Sequence, residues 1–166
     1  VVYTTTFKNG VITILEKEVP PVVEDKFTLA IESSKGKAGD EVIIPLVLKN
    51  VPDSGIANFD FKIKYDGNIL DVTSVSAGSI VTNPKLNFKY NVNTSSNLIY
   101  VTFIDFEAYG NDLIKEDGDL VNITLKVKED ALSEKTIIAT SGDVNFADYD
   151  GNTLEIILKE GSIEIA

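Results

Sequence analysis

The residue types able to do chemistry are few: 26 Asp and Glu, 15 Lys, 6 Tyr and the hydroxyls of Ser and Thr, with no His, Cys, Met or Trp. Arg and Gln are also missing. Without imidazole or thiol there is no Ser-His-Asp triad, thiolate nucleophile, imidazole zinc ligand or disulfide. Carboxylates remain, and pairs such as Asp105 with Glu107, or Glu116 with Asp117, could serve a glycosidase. Twenty-six acids make such pairs inevitable, and neither a motif nor a Trp or His supports them, so the chain reads as a non-enzyme. Asp148-Tyr149-Asp150-Gly151-Asn152-Thr153 spaces its oxygens like a calcium loop. The sixth and twelfth positions need Gly and Glu and hold Thr153 and Lys159, so a hairpin turn is expected, and no cofactor or metal on this chain.

The formal charge of -11 repels the phosphates of nucleic acid and the anionic surface of a membrane. No apolar run approaches the roughly 20 residues that span a bilayer. Length and a 43% apolar content suit one globular domain with its own core. The absence of Cys leaves the compartment open. The sequence starts at Val1 without a basic and apolar leader and reads as a piece of something longer.

Any side chain that meets a partner must be positioned by strands. Short runs of β-branched and aromatic residues with period two recur every 8–12 residues or so, bounded by Gly, Asn, Asp, Ser or Pro. Strands are expected at Val2–Phe7, Val11–Leu15, Phe27–Glu32, Glu41–Leu48, Ile56–Tyr65, Ile69–Ser76, Leu86–Val92 and Leu98–Asp105. Further ones follow at Asp119–Val127, Thr136–Ala139, Asp143–Ala147, Thr153–Leu158 and Gly161–Ile165, too many for one open sheet. Alternation turns Phe59, Phe61, Ile63 and Tyr65 inward and Asn58, Asp60, Lys62 and Lys64 outward. It likewise turns Val121, Ile123, Leu125 and Val127 inward. Pro45 implies an edge strand or a bulge where its missing N–H is not needed.

Asn9-Gly10 between two apolar runs predicts a hairpin, and Pro20-Pro21 within charged residues an extended linker. Residues 1–25 are therefore expected as hairpin and linker, and 26–166 as the main domain. The hairpin either closes a preceding module or packs on the main sandwich.

Several segments, in order and almost without gaps, resemble cohesins, the scaffoldin modules that bind dockerins in cellulosomes. They are Gly36-Lys37-Ala38-Gly39-Asp40-Glu41-Val42 with Ile44-Pro45, Val51-Pro52, Gly55-Ile56-Ala57-Asn58-Phe59-Asp60-Phe61 and Tyr65-Asp66-Gly67-Asn68-Ile69-Leu70. Ala77-Gly78 with Ile80-Val81, Leu113-Ile114-Lys115-Glu116-Asp117-Gly118 and Phe146-Ala147-Asp148 complete the set, which spans about residues 27–165. The resemblance is closer to the type I than to the type II group. It implies an all-β, nine-stranded jelly-roll sandwich whose strand 8-3-6-5 face receives a dockerin, a small helical module that carries the calcium itself. It also implies a secreted, scaffold- or surface-attached parent. Asn58 and Asp60 match family contact residues one for one. Alignment adds Asn91, Asn93, Tyr100, Thr102, Ile104, Asp105 and Glu107, and Gly151 in the late loop. The family often carries an aromatic where Asn93 stands and Glu where Asp105 stands.

From the residues alone, Asn58 and Asp60 fit a solvated sheet face as well as a contact. In Leu98–Phe106 the inward row is Ile99, Val101 and Phe103, and the outward row of Tyr100, Thr102 and Ile104 is itself rather apolar, which suits a contact patch or a loop-covered strand. A carbohydrate-binding or adhesive sandwich remains the rival, with sugars stacked on tyrosines drawn from Tyr3, Tyr65, Tyr90, Tyr100, Tyr109 and Tyr149, of which Tyr65 is expected in the core. The acidic chain as a whole favours a partner helix presenting Lys or Arg.

Overall fold

The computed structural model describes residues 26–106, 110–132 and 134–166 in full, and the backbone of 3–8 and 11–16. In chain order the elements are β1 (Tyr3–Lys8), β2 (Val11–Glu16), β3 (Thr28–Ile31), β4 (Ser34–Gly36), β5 (Glu41–Lys49), β6 (Asn58–Lys64) and β7 (Leu70–Ala77). They continue with α1 (Pro84–Asn87), β8 (Phe88–Asn93), β9 (Leu98–Ile104), β10 (Gly118–Val127), β11 (Lys135–Thr140), β12 (Asn145–Ala147), β13 (Ile157–Lys159) and β14 (Gly161–Ile165). β1 and β2 pair antiparallel with each other, as the hairpin signal predicts. The Asn9-Gly10 turn and most of the expected linker lie outside the described residues.

The remaining strands form a sandwich. One sheet runs β13-β3-β5-β10-β7, the other β4-β14-β11-β6-β9-β8, with β12 also paired to β6. Nine of these twelve segments have four or more residues. Numbered along the chain, the eighth, third, sixth and fifth of those nine are β11, β6, β9 and β8, adjacent in that order.

Period-two alternation builds the core. Phe59, Phe61, Ile63 and Tyr65 are buried against Val121, Ile123, Leu125 and Val127 and the Val42, Ile44, Leu46, Leu48 row of β5. Each large side chain so buried contributes roughly 1.5–3 kcal/mol. Phe59 stacks on Phe61, Phe103 and Phe146 at centroid distances of 5.4, 5.5 and 5.3 Å, and Phe27 meets Phe146 edge-on at 5.5 Å. These rings come from β6, β9, β12 and the approach to β3, so one aromatic cluster ties the β11-β6-β9-β8 sheet to the other.

Two local expectations change. β5 is an interior strand between β3 and β10, not an edge. Pro45 is tolerated because the β3 ladder ends at Ile31 opposite Leu46; beyond it Pro45 only accepts, from the Glu32 N–H at 3.0 Å, so the absent donor falls where pairing stops. The register shift of this pair lies on β10, between Asp119 and Val121. The strand expected from Leu86 begins at Phe88 instead. Asn83 takes a left-handed φ of 46°, Pro84 opens a four-residue helix, and the N–H groups of Leu86 and Asn87 bond back to the Asn83 carbonyl.

Candidate functional site

Because β6, β9 and β8 pair in register, their outward side chains form cross-strand rows. Asn58 stands opposite Ile104, Asp60 opposite Thr102, Lys62 opposite Tyr100 and Lys64 opposite Leu98. On the far side of β9, Lys89 stands opposite Thr102, Asn91 opposite Tyr100 and Asn93 opposite Leu98. β12 extends the first rows, with Ala147 beside Asn58 and Asn145 beside Asp60. The structure thus places Asn58, Asp60, Asn91, Asn93, Tyr100, Thr102 and Ile104 on one sheet face.

The aligned residues are not equivalent within it. Asp60 is exposed and accepts from Asn145 Nδ2 at 3.1 Å. Tyr100 and Ile104 are 37% and 44% exposed, while Ile99, Val101 and Phe103 of the same strand are buried, so the outward row is open rather than loop-covered. Asn93 sits at the far end and commits its Oδ1 to the Ser96 N–H at 3.2 Å, which shapes the β8–β9 turn. Asp105 lies past the end of β9, half-buried, and accepts from the Asp112 N–H at 3.4 Å. Glu107 lies outside the described residues. Gly151 stands off the sheet, at φ 82° in the turn that follows β12, near the Asn58 end.

That turn accounts for the calcium-like spacing. Asp148 accepts from the Asn152 N–H at 2.9 Å and from Asn152 Nδ2 at 3.0 Å, and its carbonyl accepts from the Gly151 N–H. The Asn152 side-chain and backbone hydrogen bonds hold the Asp148 carboxyl below its ordinary pKa. Asp117 is occupied too, accepting from the N–H groups of Asn50 and Val51 at 2.8 and 2.9 Å, where Asn50 has φ 57°. Among the described residues no three acidic side chains converge as a metal site.

Sequence reasoning turns Lys62 outward beside Asp60 but names neither it nor Lys89 among the contact residues. The Lys62 ammonium lies 5.6 Å from the Tyr100 ring centroid. Around this pair the face carries a depression of about 310 Å³, lined by Asp60, Lys62, Lys89, Asn91, Tyr100 and Thr102. A larger hollow of about 580 Å³ near Lys64, Asn97 and Lys135 contains none of the expected contact residues. Of the tyrosines weighed for sugar stacking, Tyr65 is in the core, and Tyr90 stands opposite inward Val101 although it borders the same depression as Tyr100. Asn87 went unnoticed as well; it is 1% exposed and reaches three partners across the end of the face.

The chain is similar to known proteins over this same region. Cellulose-binding protein A of Clostridium cellulovorans is 35% identical over 145 residues, 86% of this chain and 8% of that protein. The cellulosome-anchoring protein of Acetivibrio thermocellus is 35% identical over 137 residues, 82% of this chain and 31% of that protein. The chain thus spans less than a third of the length of these relatives. Among solved structures, the Coh-OlpA-Doc918 complex, a type I cohesin–dockerin complex from Clostridium thermocellum, contains a chain that is 34% identical with a TM-score of 0.82. The match covers 86% of this chain and all of that one. A family model described as the cohesin domain matches residues 27–165, and with that the chain belongs to the cohesin family.

Proposed function

We propose that this module captures a calcium-loaded dockerin of type I on the β11-β6-β9-β8 face. Asn58, Asp60, Asn91, Asn93, Tyr100, Thr102 and Ile104 make contact from the sheet, Asp105 and Gly151 from the end near Asn58, and Glu107 completes the set. The module does no chemistry; it tethers the dockerin-bearing protein to an extracellular scaffold or cell surface. Residues 26–166 are the working unit, with 1–25 a hairpin and linker outside it. The observation that carries this reading is the unbroken register of β6, β9 and β8, which sets polar Asn58 and Asp60 beside exposed Tyr100 and Ile104 on one open surface. An interface centre needs that mixture of apolar area to bury and directional hydrogen-bonding groups. A complex of a related cohesin with a dockerin supports the same reading.

Calorimetry against a panel of type I dockerins, with calcium and then with chelator, tests it. Calcium-dependent binding is expected, and Asp60→Ala should weaken it about 5- to 150-fold, the equivalent of about 1–3 kcal/mol for a buried hydrogen-bonding group left without its partner. Binding to cellulose or another glycan, with no dockerin bound, sinks the proposal.

A further inference from the structure

The charge of this face runs against the charge of the chain. On β6, β9 and β8 the outward positions hold Lys62, Lys64 and Lys89 against Asp60 alone, in a chain of net charge -11. Asp60 already faces the amide of Asn145. Among the described residues the ion pairs lie elsewhere: Lys35 with Glu164, Lys49 with Glu32, Lys126 with Glu129 and Lys128 with Asp71. The Lys62 ammonium lies over the Tyr100 ring and that of Lys89 donates to the Lys85 carbonyl at 3.0 Å, and neither has an ion-pair partner among the described residues. The sequence-level expectation of a Lys- or Arg-bearing partner helix follows from the chain-wide charge, and locally this face calls for the opposite sign.

The two lysines line the 310 Å³ depression together with Asp60, Tyr100 and Thr102. Lys62 shares a row with Tyr100, and Lys89 shares the next row with Thr102, on strands either side of β9. Two strand spacings of about 4.8 Å and a two-residue offset of about 7 Å put their backbones about 12 Å apart on a diagonal. On a helix, positions seven residues apart share a face at about 10.5 Å, and those three or four residues along lie between them.

We propose that the face selects a helix with two carboxylates seven residues apart and an aliphatic side chain midway between them. The carboxylates meet Lys62 and Lys89, and the aliphatic group enters the depression beside Tyr100. The inference rests on the dockerin reading and adds the chemistry of the recognised helix.

One calcium-loaded type I dockerin, prepared in two versions, tests it: one with Glu at two recognition-helix positions seven apart, the other with Lys there. Titration calorimetry should find the Glu version binding at least tenfold more tightly than the Lys version. The preference should invert in the Lys62→Glu, Lys89→Glu double variant. A second double variant, Lys126→Glu with Lys159→Glu, makes the same change in net charge on the other sheet and should keep the original preference. Equal binding of the two versions, tighter binding of the Lys version, or a preference lost equally in both double variants overturns the inference while leaving dockerin capture standing. Failure of every dockerin to bind the unaltered chain overturns both.

Discussion

Asn87 is 1% exposed, yet every polar atom of its amide is used. Its Nδ2 donates to the Thr82 carbonyl at 3.3 Å and to Asp112 Oδ2 at 2.8 Å, and its Oδ1 accepts from the Phe106 N–H at 3.3 Å. Truncation to Ala would leave those groups unpaired in a part-buried site. Asn87→Ala should therefore destabilise the domain by about 1–3 kcal/mol, read as a lowered denaturation midpoint at unchanged m-value. Nothing in the sequence marks this residue, because its partners lie 5, 19 and 25 residues away and only the folded chain brings them together. Asn58 and Asp60 are different. Their outward placement is legible from the Phe59, Phe61, Ile63 row alone, since period two leaves them no other side. Which outward residues also serve the local fold is not legible that way, since the Ser96 N–H bond to Asn93 and the Asp112 N–H bond to Asp105 form only in the folded chain.

At the scale of elements, one close backbone approach lies where β3–β4 and β13–β14 cross together from one sheet to the other. A Cβ on Gly161 would lie 2.5 Å from the Glu32 carbonyl oxygen and 2.6 Å from that of Ile31, both rigid backbone. Gly161→Ala should therefore lower the melting temperature more than an ordinary exposed substitution does, which thermal unfolding of the purified domain checks. The Asp148 turn makes a pH prediction. A carboxyl held below its ordinary pKa stabilises the fold fully above the unfolded-state value of about 3.9, and that contribution is lost as pH falls through the lowered native value. Melting curves of the parent chain and Asn152→Ala should lie apart at neutral pH and converge as pH drops below about 4; a constant gap would refute the linkage. Long alternating strands such as β6, β9 and β10 were legible because burial selects one side of every residue pair. Short elements were not: α1 depends on the left-handed turn at Asn83, and β4 is three residues that pair in parallel with β14 from the far end of the chain.

Across the whole molecule, the buried apolar residues among those described run from Phe27 to Ile165, the same span as the family match. A chain starting at Lys26 should fold cooperatively and bind dockerin as the longer one does, which unfolding and calorimetry of the truncated chain would show. Loss of folding on truncation would instead make the hairpin part of the working unit. Net charge misleads at this scale, since -11 describes the sum while the outward positions of β6, β9 and β8 carry Lys62, Lys64 and Lys89 against Asp60. The last strands pair in parallel with the first, β13 with β3 and β14 with β4. The sandwich therefore begins at the level of Thr28 and ends at the level of Gly36, eight residues along the β3–β4 segment and at most about 26 Å at 3.3 Å each. Joined in series, such units would lengthen a string in register with its sockets, so that cargo on neighbouring sockets is held apart by the body of the fold.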